Sequence, residues 1–188
     1  GSTVISSRDS APSGILLWRA ILQWLGGIGI IVMSIAILPM LKIGGNQLFQ
    51  MESSDRSEKV LPRVAQIASG VGFVYLGLTV ACAALLWFSG LKGFDAIAHG
   101  MTTIATGGFS TRDGSVGAFL NPTVEVIITC FMLLGALPFV LYLQAVRGKP
   151  LILFRDNQVR WFFWIVVFFI VAVAVAHHIN NDINIGRA

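Results

Sequence analysis

The 188 residues are 55% hydrophobic and 12% charged, with a mean hydropathy of +0.79, whereas soluble domains carry about 25% charged residues. That composition excludes an ordinary soluble domain, a disordered tail and a secreted disulfide scaffold; Cys82 and Cys130 both lie in apolar stretches and read as small core hydrophobes. The net charge of +4 is concentrated in short clusters, so it reflects topology and argues against a nucleic-acid-binding face.

No Lys, Arg, Asp or Glu occurs in 20–41, 64–91, 96–111, 126–146 or 161–181. Four of these gaps run 21 to 28 residues, enough for a helix to cross the hydrocarbon core, which needs about 20. The gap 96–111, with 16 residues, is too short to cross.

The first apolar segment, Ile15 to Leu41, follows a polar opening and carries Trp18 and Trp24 toward one end, where interfacial aromatics are common, and Pro39 near the other, where a helix can stop. The second runs from about Val64 to Leu91; Gly70, Gly72 and Gly77 are expected to permit close approach of neighbouring helices. The third opens with Asn121-Pro122, an N-cap followed by proline at the first helical position, and continues to Val146 with interruptions at Gly135 and Pro138. The fourth, Trp161 to Ile179, is almost purely aromatic and aliphatic. Lys42, Arg56, Lys59 and Arg63 cluster in one connection and Arg147, Lys149, Arg155 and Arg160 in another. Two crossings separate the clusters, so both are expected on the cytoplasmic side. The stretch 92–120 then starts and ends outside. Its uncharged part must enter the membrane and return on the same side, which is tolerated only where protein buries it or it lines a watery cavity.

That stretch reads as a half-helix from Ala96 to Thr103, about 12 Å long, capped by Asp95 and broken at Thr106-Gly107-Gly108. A half-helix entering from outside points its carbonyl end at the membrane centre, where a cation is stabilised. An extended return through Ala105, Thr106, Gly107 and Gly108 can aim successive carbonyl oxygens at one axis and replace a monovalent cation's hydration shell. The blander reading is a Gly-rich outer loop after an interfacial helix.

The remaining motifs have structural readings. Gly26-Gly27-Ile28-Gly29 lacks a preceding strand and reads as helix packing in place of a dinucleotide loop. His177-His178 reads as a solvated interfacial pair, since neighbouring helical residues point different ways. His99 reads as packing, with gating as its alternative, and Arg19 as a side chain snorkelling to the interface. Glu125 suits a helix N-terminus; Glu125 and Asp113 are also candidates for concentrating cations at the outer mouth. Pro138 beside Gly135 is expected to bend an inner helix and widen the cavity below the break.

Several motifs in order resemble the bacterial Trk potassium-uptake membrane proteins, the TrkH branch of the Trk/Ktr/HKT superfamily. They are Trp18-Arg19-Ala20-Ile21-Leu22-Gln23-Trp24-Leu25-Gly26-Gly27-Ile28-Gly29, Ala36-Ile37-Leu38-Pro39, Gly44-Gly45-Asn46-Gln47-Leu48-Phe49, Phe94-Asp95-Ala96-Ile97-Ala98-His99, and Thr102 through Thr111. The resemblance implies an all-α polytopic fold of repeated helix, pore loop, helix units, with about four transmembrane helices and one re-entrant pore helix in this chain. It divides the chain into the end of a first repeat (1–59), a second complete repeat (60–149) and the first helix of a third (150–188). It implies a potassium filter at Ala105, Thr106, Gly107 and Gly108. It also makes Gly1-Ser2-Thr3 the last residues of the preceding filter and Gly1 a further filter residue; a cloning remnant is the alternative for Gly1-Ser2. The chain is then an internal piece of a multi-pass protein of the bacterial cytoplasmic membrane. Potassium is the cargo, no cofactor or bond-making chemistry is expected in this chain, and a homodimer and a cytoplasmic nucleotide-binding regulatory subunit are the implied partners. The runner-up is a secondary transporter with broken helices binding another cation or small substrate at the midplane; a non-conducting membrane scaffold is the third reading.

Overall fold

The computed structural model describes residues 8–41, 57–148 and 151–185, with side chains at 34–41, 57–65 and 179–185 outside that description. Gly1, Pro39's surroundings and most of the first basic connection therefore lie outside the described residues. Among the described residues every regular element is helical: α1 (Ser13–Leu41), α2 (Ser57–Phe88), α3 (Gly93–Ile104), a 3-10 turn (Val116–Phe119), α4 (Pro122–Ala136), α5 (Phe139–Val146), α6 (Ile152–Arg155) and α7 (Asn157–Ile185). Ser13–Met33, Gln66–Phe88 and Asn157–His178 are each long and apolar enough to cross a membrane, and α4 with α5 forms a fourth such segment bent by 91°.

The chain forms two compact units, 1–143 and 144–188. In the first, the short α3 packs against α1, α2 and α4. The inward face of α2 is set by helical spacing: Val71, Tyr75, Thr79, Cys82 and Leu86 recur every three or four residues and are all buried. Val124, Ile128 and Phe131 do the same on α4. Eight of the 12 residues of α3 are buried, so this short helix is largely enclosed. In a membrane such packing depends on small residues that let backbones close up, and three glycines meet that need. A Cβ on Gly100 would lie 2.9 Å from that of Ala83, one on Gly135 2.8 Å from the Ile104 carbonyl oxygen, and one on Gly27 3.1 Å from the Ala105 Cβ. The carboxyl end of α3 is thus gripped by a glycine of α1 and a glycine of α4. On α2, Gly70 lies under Leu143 and Gly72 near Ile28, but Gly77 faces open space and does not serve helix packing among the described residues.

Asn121 caps α4 as its sequence suggests, accepting from the Thr123 N–H at 3.0 Å, while its amide donates to the Ser89 carbonyl at 2.9 Å. At the other end, Pro138 has no N–H for the carbonyl of Leu134. That carbonyl accepts the Leu137 N–H at 3.3 Å and the Tyr142 hydroxyl at 2.7 Å, which satisfies the break between α4 and α5. In the second unit α7 is exposed along nearly all its described side chains, as suits a helix of membrane-crossing length.

Candidate functional site

α3 is 12 residues long, or about 18 Å, against a hydrocarbon core of about 30 Å. Its start corrects the sequence expectation. The helix begins at Gly93 with Lys92 in the capping position and no side-chain cap, and Asp95 lies inside its first turn. Asp95 is spent on the returning chain: its carboxylate accepts from the Thr111 hydroxyl at 2.6 Å and from the Arg112 guanidinium at 3.1 Å, with the side chain 6% exposed.

The end of α3 is equally well defined. The Thr106 N–H donates to Thr103 O and the Gly107 N–H to Thr102 O, both at 3.0 Å. That is the Schellman pattern, whose closing residue adopts a left-handed backbone and is usually glycine. α2 ends in the same pattern with Gly90, at φ +103°. α3 places Thr106 there instead, at φ +51°, an uncommon conformation for a β-branched residue. Gly108 follows at φ +68°. The left-handed positions of the turn are therefore 106 and 108. At Gly107 the pressure is spatial: a Cβ on it would overlap the Gln23 side chain of α1, which would have to move aside. The expectation is that both glycines admit unusual backbone angles and spare the axis from side chains; the space at Gly107 lies toward Gln23 of α1.

From the turn the chain runs back along α3, tied at successive levels. The Thr102 hydroxyl donates to the Phe109 carbonyl at 2.9 Å, His99 Nε2 meets Ser110 Oγ at 3.0 Å, and Thr111 reaches Asp95. His99 Nδ1 lies 2.8 Å from the Asp95 carbonyl, which can only accept, so Nδ1 carries the hydrogen. In the neutral ring Nε2 then accepts the Ser110 O–H, and Ser110 Oγ accepts the Arg112 N–H at 3.1 Å. With the Phe119 ring set edge-on at 5.2 Å, His99 is a packed structural residue, as expected. The Arg19 guanidinium sits 4.6 Å above the Phe109 ring, a cation–π contact to the return segment that the sequence reading did not include.

Behind the turn, α1 and α2 are joined by a closed polar circuit. Trp24 Nε1 donates to Thr79 Oγ1 at 3.0 Å, Thr79 Oγ1 to Tyr75 O at 2.8 Å, and Tyr75 OH to Trp24 O at 2.9 Å. Trp24 is thus a helix-joining residue as well as an aromatic of a span. The circuit fixes the stretch of α1 that presents Gln23 and Gly27 to Gly107 and Ala105. Asp113, a candidate for attracting cations, is paired with Arg8 at 3.2 Å. His177 and His178 join no group of three or more potential metal ligands among the described residues.

The four residues singled out in the sequence, Ala105, Thr106, Gly107 and Gly108, form this turn, with Thr106 and Gly108 exposed. Among the described residues no hydrogen-bond donor is directed at any of their four carbonyl oxygens. The residues missed by local patterns are Gln23, Tyr75, Tyr142 and the partners of Asp95, whose contacts fall outside a single helical turn: 8 residues for Tyr142, 16 and 17 for Thr111 and Arg112, and 51 for Tyr75.

Residues 1–182 match the TrkH family, described as cation transport proteins. The chain belongs to the TrkH family. It is 46% identical over 176 residues to the Trk system potassium uptake protein TrkI of Halomonas elongata, covering 93% of this chain and 36% of that protein. It is 44% identical over 165 residues to TrkH of Escherichia coli K12, covering 86% of this chain and 34% of the relative. The crystal structure of the potassium transporter TrkH from Vibrio parahaemolyticus matches with a TM-score of 0.76 and 42% identity, over 91% of this chain and 34% of that one. The chain thus spans about a third of the length of these TrkH family relatives, and within that third it has the family's all-helical, multi-pass membrane architecture.

Proposed function

We propose that this chain is part of a potassium-uptake protein of the bacterial inner membrane and that the carbonyl oxygens of Ala105, Thr106, Gly107 and Gly108 ligate the passing ion. The observation that carries the reading is the group of four carbonyls that no donor among the described residues claims at the carboxyl end of α3. Helix carbonyl ends carry partial negative charge, and a potassium ion sheds water only where such oxygens replace its hydration shell. The printed names of the relatives, potassium uptake proteins and a potassium transporter, support the choice of ion. In this reading 42–63 and 147–160 face the cytoplasm and α3 is a re-entrant pore helix entered from outside. The divisions 1–59, 60–149 and 150–188 are successive parts of repeats, and Gly1 belongs to the preceding filter. The rest of the pore comes from loops beyond this chain; a homodimer and a nucleotide-binding cytoplasmic regulator complete the assembly. The 91° break between α4 and α5 shapes the cavity below the turn.

The test uses the complete protein in cells lacking other potassium systems, with rubidium uptake measured against sodium competition. Gly107→Ser forces a side chain into the space of Gln23 and turns the peptide that presents the ligand. Weakened discrimination at normal membrane abundance supports the filter, each 1.4 kcal/mol of lost preference being about tenfold. Unchanged affinity and discrimination would overturn it.

A further inference from the structure

The segment leading into α1 and the segment leading toward α4 each contain the dipeptide Arg-Asp, at 8–9 and at 112–113. In space the two dipeptides are crossed. Arg8 Nε lies 3.2 Å from Asp113 Oδ1, and Arg112 NH1 lies 3.7 Å from Asp9 Oδ1. The first contact is reinforced at two further points: the Arg8 backbone N–H donates to Asp113 Oδ1 at 2.8 Å, and Arg8 NH2 donates to the Asp113 carbonyl at 3.1 Å. These residues are 105 positions apart. The arginine of each segment thus holds the aspartate of the other.

Arg112 also donates to Asp95 in the first turn of α3 at 3.1 Å, so the crossed pair is joined to the helix that carries the candidate filter. Only three residues separate Arg112 from Gly108. Among the described residues the return segment has no strand partner, so its path is set by these side-chain contacts and by the ties to His99 and Thr102. The aspartates have a second effect. Guanidinium groups this close to a cation path would repel the ion, and each is held against at least one carboxylate.

We propose that Arg8, Asp9, Arg112 and Asp113 form a reciprocal clasp between two consecutive outer segments and act as positioning residues for the carbonyls of 105–108. The inference rests on the filter reading above and adds to it: ion discrimination in this protein depends on a contact between repeats outside the filter. Partly exposed ion pairs with several hydrogen bonds contribute modestly, so the expected loss of discrimination per single change is about two- to fivefold.

The test is an exchange of charges in the complete protein, with sodium competition against rubidium uptake read alongside membrane abundance. Arg8→Asp and Asp113→Arg are each expected to weaken discrimination, and the two together to recover at least half of the loss. A purely structural role would change abundance or total uptake and leave discrimination as it was. Should a reversal fail to reach the membrane, Arg8→Gln and Asp113→Asn are read in the same way. Wild-type discrimination in the single variants at normal abundance overturns the clasp, as does a double variant no better than the worse single one. Gly107→Ser separates the two proposals. If it alone shifts discrimination the clasp fails and the filter stands; if neither it nor the clasp variants do, the filter reading has failed.

Discussion

Asp95→Asn distinguishes an N-cap from an anchor. Aspartate and asparagine cap helices about equally well, because either side-chain oxygen can accept a first-turn N–H, so a capping role predicts almost no change. In the structure the carboxylate is buried and holds Thr111 at 2.6 Å and Arg112 at 3.1 Å. Asparagine keeps one oxygen for Thr111 and presents either a weaker acceptor or an NH2 group to the guanidinium. A hydrogen bond to a charged group contributes about 1.5–3 kcal/mol, and an acid in the first turn of a helix about 0.3–1 kcal/mol. Because the Arg112 side chain is 37% exposed, the first contribution belongs near the lower end of its range. The expected cost is about 2–3 kcal/mol. At about 1–2 °C per kcal/mol for a protein about three times this length, heat-induced loss of the monodisperse complete protein in detergent should move down by about 2–6 °C. Thr111→Val should cost less, and the double variant less than the two singles combined, because they share one carboxylate. A midpoint indistinguishable from wild type in Asp95→Asn would refute the anchor.

Three further outcomes follow from the geometry. Tyr142→Phe removes the shorter of the two hydrogen bonds at the Leu134 carbonyl and should cost about 0.5–1.5 kcal/mol of stability by the same thermal measurement; in a Pro138→Ala background, where residue 138 regains an N–H, the cost should shrink, and equal costs in both would contradict the assignment. Gly135→Val places a side chain against the Ile104 carbonyl, where even a Cβ has only 2.8 Å, and should abolish rubidium uptake, whereas Gly77→Val, in open space, should retain it. For topology, cysteines at Ser54 and Ala118 should react with an impermeant thiol reagent from opposite sides of the membrane, Ala118 from outside; labelling of both from one side would overturn the orientation.

The long helices were legible because a membrane span needs only length and the absence of charge, and the gaps at 20–41, 64–91 and 161–181 supply both. The cap at Asn121 and the break at Pro138 were legible because their causes are local: one side chain, one missing N–H. The turn at 105–108 was visible through its glycines, but the reason for each was not. Gly107 answers to Gln23 on another helix, and the strained position fell to Thr106, which local preference would give to glycine. Asp95 looked like a cap because the local rule for acids before a helix has no knowledge of Thr111 and Arg112. Arg19 and the pairing of Arg8 with Asp113 were hidden for the same reason, since contacts across 90 residues or more leave no periodic trace.

The carbonyls of Ala105, Thr106, Gly107 and Gly108 are proposed to hold the ion. The most direct measurement is a crystal structure of the complete protein grown in rubidium, with anomalous density used to locate the ion. A rubidium peak is expected on the pore axis within direct coordination distance of these carbonyl oxygens, reduced when sodium replaces rubidium and shifted or lost in Gly107→Ser. Rubidium bound elsewhere in the pore, with the 105–108 carbonyls facing away from it, would contradict the claim.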